Sequence, residues 1–84
     1  MNHYVYMLWS KKNEKVKTYV GYTINLKKRL AMHNLGKAAK STRGRYWRII
    51  FKKTYKNKSL ALKAEYFYKK NHNIRKKIVN DYIF

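Results

Sequence analysis

The chain has 84 residues, 22 of them Lys or Arg against three acids, for a formal charge of +19, with 17% aromatics and neither cysteine nor proline. That is one domain's worth of chain (residues 1–84), able to bury only about 60% of the surface its unfolded form exposes, and the lack of cysteine excludes a disulfide framework and any thiolate metal site. The first apolar run is too short for a signal peptide and is broken by Lys11 and Lys12, and no segment has the length to span a bilayer, so the expectation is an intracellular, cytoplasmic and nucleoid-associated protein.

His3 to Trp9 reads as a strand. The polar stretch Ser10 to Glu14 reads as a turn of more than the commonest length, and Val16 to Gly21 as the return strand of a hairpin. Alternation puts Tyr4 and Tyr6 on one face of the first strand and Val5, Met7 and Trp9 on the other. Thr23 is a suitable N-cap for a helix running to about Asn34, with Gly36 near its C-terminal cap. Leu26 and Leu30 share one stripe of that helix, and Arg29 and His33 lie four apart on a neighbouring one, so one turn offers a guanidinium beside an imidazole.

Residues 36 to 45 hold two glycines and four cations and read as an exposed basic loop. A third strand, about Tyr46 to Thr54, sets Trp47, Ile49 and Phe51 against Tyr46 and Ile50. Both faces are largely apolar, which places it inside the domain, with helices covering the sheet. Ser59 caps a helix to about Asn71 whose core stripe is Leu60, Ala61, Ala64, Phe67 and Tyr68, and a last helix from about Ile74 to Tyr82 buries Ile78. The expected fold is α+β: a small three-stranded antiparallel sheet flanked by helices, in the order ββαβαα.

A charge of +19 exceeds what solubility requires and repels itself in the compact state. A polyanion would relieve it. Nucleic acid is the first candidate, because cations run through the whole chain with tyrosines between them. An anionic membrane is the competing one, but no helix sets a large apolar face opposite its lysines.

Tyr4-Val5-Tyr6, Tyr19-Val20-Gly21, the helix with Thr23, Leu26, Arg29 and His33, the segment Gly36-Lys-Ala-Ala-Lys-Ser-Thr-Arg-Gly44, and Ser59-Leu-Ala-Leu-Lys-Ala-Glu65 follow one another in the order and spacing of one family. Over residues 3 to 70 the chain resembles the GIY-YIG nucleases, closest to their small stand-alone members. It departs in having Tyr4 where the first motif has glycine, and valine for isoleucine in both triplets. The resemblance implies a metal-dependent endonuclease hydrolysing DNA phosphodiesters, structure-specific or weakly specific, in repair or processing. RNA is a possible substrate. The alternatives are a non-catalytic nucleic-acid binder on a nuclease scaffold, and a ribosome-associated RNA binder suggested by size and charge.

The implied catalytic set is Tyr6, Tyr19, Arg29, His33 and Glu65. Glu65 holds one Mg²⁺ or Mn²⁺, with water and phosphate oxygens completing the shell. Its competing role is a surface pair with Lys69 at i,i+4. Arg29 is suited to bidentate phosphate contact, and His33 to proton transfer or, alternatively, to capping a helix C-terminus. Tyr6 is expected as the base, its phenolate favoured by a metal ion and a guanidinium, with Tyr19 as helper; the competing reading makes both sheet aromatics. Gly21 lets backbone approach closely, Thr23 supports the helix start, and Asn80 stands where some family members place a supporting asparagine. Lys37, Lys40, Arg43, Arg45 and Arg48 are the expected nucleic-acid contacts. No small-molecule cofactor is expected, and protein partners and oligomeric state stay open.

Overall fold

The computed structural model describes residues 1–83. The chain runs β1 (His3–Lys12), β2 (Lys15–Thr23), α1 (Leu26–Asn34), a 3-10 turn (Lys40–Thr42), β3 (Arg48–Tyr55), α2 (Lys58–Lys70) and α3 (His72–Ile83). The three strands form one antiparallel sheet in the order β2-β1-β3, so the α+β order ββαβαα holds and β1 is central. No helix of the described residues is long and apolar enough to cross a membrane.

The hairpin is tighter than its sequence suggests. Pairing continues to Lys12 opposite Lys15, leaving Asn13 and Glu14 as a two-residue turn with φ of 51° and 65°. Two left-handed residues match the twist of the flanking strands. Asparagine tolerates that conformation and glutamate accepts it under strain.

Both N-caps also move. Thr23 ends β2, buried, with its hydroxyl accepting from Asn25 N–H (3.1 Å) and donating to Asn25 carbonyl (3.3 Å). Asn25 is the cap, its side chain accepting from Lys28 N–H at 3.1 Å. In α2 Asn57 caps in place of Ser59, accepting from Leu60 N–H at 2.9 Å. At the other end of α1, Gly36 takes φ 74° and Lys37 N–H returns to the Met32 carbonyl (2.8 Å), so the expected glycine does end this helix.

Each sheet face has its own core. Val5, Met7 and Val20 point to one face, where Ala61, Ala64 and Tyr68 of α2 and Ile78 and Val79 of α3 cover them. Tyr6, Leu8 and Trp47 occupy the other, covered by Leu26 and Leu30 of α1. β3 departs from simple alternation: Met7 pairs with Phe51 but Leu8 with Ile49, so Ile50 is a bulge. Phe51 therefore joins the first core and Ile49 the second, where the sequence had put them on one face. Trp47 lies before the strand, fully buried, donating from its indole to the Thr42 carbonyl at 2.8 Å.

The α2 core stripe is Ala61, Ala64 and Tyr68, and the expected Leu60 and Phe67 stay 44% and 49% exposed because they lie a third of a turn away. Glu65 follows Ala61 by four and shares that inward stripe. In α3, Ile78 is half-buried rather than enclosed.

Candidate active site

The site starts from Gly21. It stands opposite Tyr6 in the β1–β2 pairing, and a Cβ there would collide with the Tyr6 hydroxyl and ring and touch the Tyr19 ring. The missing side chain lets the Tyr6 phenol lean across β2 beside Tyr19, their ring centroids 6.5 Å apart. Helix α1 closes over the pair. Leu26, Leu30 and His33 fall at i, i+4 and i+7, so the stripe that anchors α1 in the second core also drives His33 inward. His33 is 1% exposed, with its ring centroid 5.0 Å from Tyr19 and 5.8 Å from Tyr6.

A short hydrogen-bond chain fixes the protons. Tyr6 Oη lies 2.8 Å from His33 Nε2, His33 Nδ1 lies 2.9 Å from Thr42 Oγ1, and Thr42 Oγ1 donates to the Ala39 carbonyl at 2.9 Å. A carbonyl can only accept, so the single hydroxyl proton of Thr42 is committed to Ala39. Toward His33, Thr42 can then only accept. Nδ1 of a neutral ring therefore carries the hydrogen, Nε2 is a lone pair, and Tyr6 donates to it. Burial, then the Arg29 charge, holds the His33 pKa below its ordinary value, which keeps the ring neutral.

Burial, then Tyr19, pushes the Tyr6 pKa well up, and the opposing pull of Arg29 is smaller. Among the protein's own groups, desolvation of an anion thus outweighs the guanidinium. Tyr6 is a hydrogen-bond donor at neutral pH.

Arg29 is half-buried one turn before His33, and its charge reaches both Tyr6 and His33. The Glu65 carboxylate also acts on Tyr6, raising its pKa. Its side chain is 20% exposed and meets Lys69 Nζ at 3.5 Å. The surface pair proposed for it thus exists, on a carboxylate that faces inward. No three His, Cys, Asp or Glu residues gather among the described residues. One carboxylate suits a Mg²⁺ or Mn²⁺ ion that keeps most of its waters and takes phosphate oxygens, and it does not suit a stripped, caged ion.

The remaining sequence candidates scatter. Lys37, Lys40 and Arg43 are exposed on the loop after α1. Arg45 is a strut: its guanidinium donates to the carbonyls of Ser10 (3.2 Å) and Lys15 (3.3 Å), clamping the hairpin. Arg48 is exposed and reaches the Tyr82 hydroxyl at 3.5 Å. Asn80 is exposed on α3, whose Ile78 and Val79 pack on the sheet face away from Tyr6, so the fold does not bring it to the tyrosines. Thr42 was missed. It is fully buried inside the loop read as exposed, and its only sequence signal is an isolated β-branched residue among cations.

Compared with known proteins, residues 2–78 match the model of the GIY-YIG catalytic domain. The chain belongs to the GIY-YIG family. Relatives include UPF0213 proteins of Pediococcus acidilactici, 41% identical over 80% of this chain and 68% of its own length, and of Oceanobacillus iheyensis, 46% identical over 76% and 72%. The solution NMR structure of a UPF0213 protein from Bacillus halodurans superposes with a TM-score of 0.50 at 34% identity, covering 96% of this chain and 84% of that one. GIY-YIG membership implies a nuclease scaffold and a nucleic-acid substrate. The reaction is argued from the residues.

Proposed function

We propose that this GIY-YIG domain is a metal-dependent endonuclease that hydrolyses DNA phosphodiesters. The observation that carries the reading is the chain Tyr6–His33–Thr42, standing under the charges of Arg29 and Glu65. A phenol with a raised pKa is a poor base on its own, but a phenol that hands its proton to a waiting imidazole never has to exist as the anion. Water attacks phosphorus in line with the 3′ oxygen while Tyr6 Oη takes the water's proton and passes its own to His33 Nε2. Thr42 keeps the Nδ1 proton in place as the imidazolium forms. The P–O3′ bond breaks, and solvent protonates the leaving oxygen.

Tyr19, half-buried beside His33, orients the water. Arg29 holds non-bridging oxygens and stabilises the charge that develops on them. Glu65 holds the divalent ion, which when bound supplies further neutralisation of that charge. Lys37, Lys40 and Arg43 lie exposed where they can hold flanking phosphates, and Thr23 fixes the start of α1.

Nicking of supercoiled plasmid across a Mg²⁺ and Mn²⁺ series tests this. Wild type should nick with one of them, and Glu65→Gln should abolish nicking while DNA affinity stays equal or rises, since an anion is lost. A non-catalytic binder is the second reading, favoured by the Lys69 counter-ion that already meets Glu65. It gains if supercoiled, nicked and branched DNA all survive both metals.

A further inference from the structure

The hydrolytic scheme leaves one feature of the molecule unused. Between the outer edge of β2 and the junction of α2 with α3 runs a groove in two confluent parts, of about 250 and 290 Å³. Thr18 and Arg75 line both parts. Tyr19 and Lys69 stand in the first, and His72 and Lys76 in the second.

The junction that shapes this groove is built. Only Asn71 separates α2 from α3, and its side chain accepts from Ile74 N–H at 3.3 Å to start the second helix. Arg75, one turn into α3, donates from Nη1 to the Tyr68 and Lys69 carbonyls at 2.8 and 2.5 Å, so the end of α2 is capped by a cation from its neighbour. That fixes the guanidinium at the groove wall. Its Nε and Nη2 have no hydrogen-bond partner among the described residues. No acid lines either part. Lys69 is the same lysine that meets Glu65, so one end of the groove lies beside the carboxylate of the proposed reacting centre.

We infer that this groove carries a single nucleic-acid strand, its phosphates against Lys69, Arg75 and Lys76, leading to or from the phosphate that is cut. A channel lined by cations and free of acids holds a phosphate backbone without sequence preference, and a groove between one strand edge and one helix junction seats one backbone. The direction of the strand rests on the nuclease reading; its binding does not.

The test therefore reads binding alone: fluorescence anisotropy of a short labelled single-stranded oligonucleotide in EDTA, with circular dichroism confirming the fold of each variant. The double variant Lys69→Gln/Lys76→Gln is compared with Lys52→Gln/Lys53→Gln, an equal loss of charge on β3, the opposite edge of the sheet. The groove pair should weaken binding about tenfold at moderate salt and flatten the log–log salt slope by about 1.4, at roughly 0.7 per phosphate contact on a single strand, with about threefold or less for the control. Lys76→Glu, on an exposed position away from Glu65, should alone cost about as much as the groove pair.

Equal losses in the two double variants would overturn the groove, even in a protein that nicks plasmid. A duplex of the same sequence losing as much as the single strand would overturn the choice of occupant. Absence of nicking would leave the binding result standing.

Discussion

His33 decides what the rest of the site can do, and Thr42 decides what His33 is. With the Thr42 hydroxyl proton spent on Ala39, the ring presents a bare Nε2 to Tyr6. Thr42→Val keeps the shape and removes the acceptor. It should lower kcat by about 10- to 100-fold, within what positioned proton transfer contributes, and stability by about 1–3 kcal/mol for the orphaned Nδ1–H. Thr42→Ser should restore both, whereas a purely structural role would leave the pH profile of kcat unmoved. Tyr6→Phe should cost kcat about 10²- to 10⁴-fold with the ring still packed. The sign of the pH dependence follows from the buried ring. Its folded pKa lies below the unfolded 6.5, so between the two the unfolded chain binds more protons. Stability therefore falls as pH drops below 6.5, and the acid limb of kcat/KM should also lie below that value, because imidazolium cannot take the Tyr6 proton. The five residues singled out by motif order were legible because spacing along a strand or helix fixes direction. Thr42 was not, because a loop brings it back and no period marks a loop. Arg45 misled for the converse reason: a guanidinium satisfied by two carbonyls reads in sequence like any free cation.

The order of elements was written in periodicities of two and 3.6, and it is the order found. Registers were not, since they depend on small local choices. Trp47, Ile49 and Phe51 alternate in sequence, yet the bulge at Ile50 sends Phe51 to the other face. Thr23 and Ser59 look like caps, yet asparagines two residues away take the role, because Asn25 and Asn57 are the ones in extended backbone facing the first free N–H groups. The hairpin turn offers a measurable consequence. Glu14 at φ 65° sits where the turn favours glycine. Glu14→Gly should raise stability by about 0.5–1 kcal/mol, the relief of a left-handed side chain less the added freedom of the unfolded chain. For a domain of this size that is about 3–6 °C in Tm. The pair between Lys11 and Glu14 is lost in that variant, but it is exposed and contributes little. Scanning calorimetry checks the shift, and a lower Tm would mean that the turn is not strained.

At the scale of the whole molecule, a charge of +19 surrounds two small cores that share one three-stranded sheet. Repulsion among the cations opposes compaction, while the same field draws in a polyanion. The two effects have opposite salt dependence, which makes them separable. In protein alone, raising NaCl screens the repulsion, so Tm should climb with ionic strength until the Debye length falls to about 8 Å near physiological salt. With DNA present at low salt, binding to the folded state should raise Tm further. If about six phosphates are contacted, the log–log slope of affinity on a duplex is about −5, and affinity drops about a thousandfold between 50 and 200 mM salt. The DNA-dependent rise should therefore vanish over the interval in which the protein-alone Tm increases, so that the two curves cross from well separated to coincident. A DNA-dependent rise that survives at high salt would show that the grip comes from stacking or base contacts, and the charge would then have to be read as serving something other than capture of the phosphate backbone.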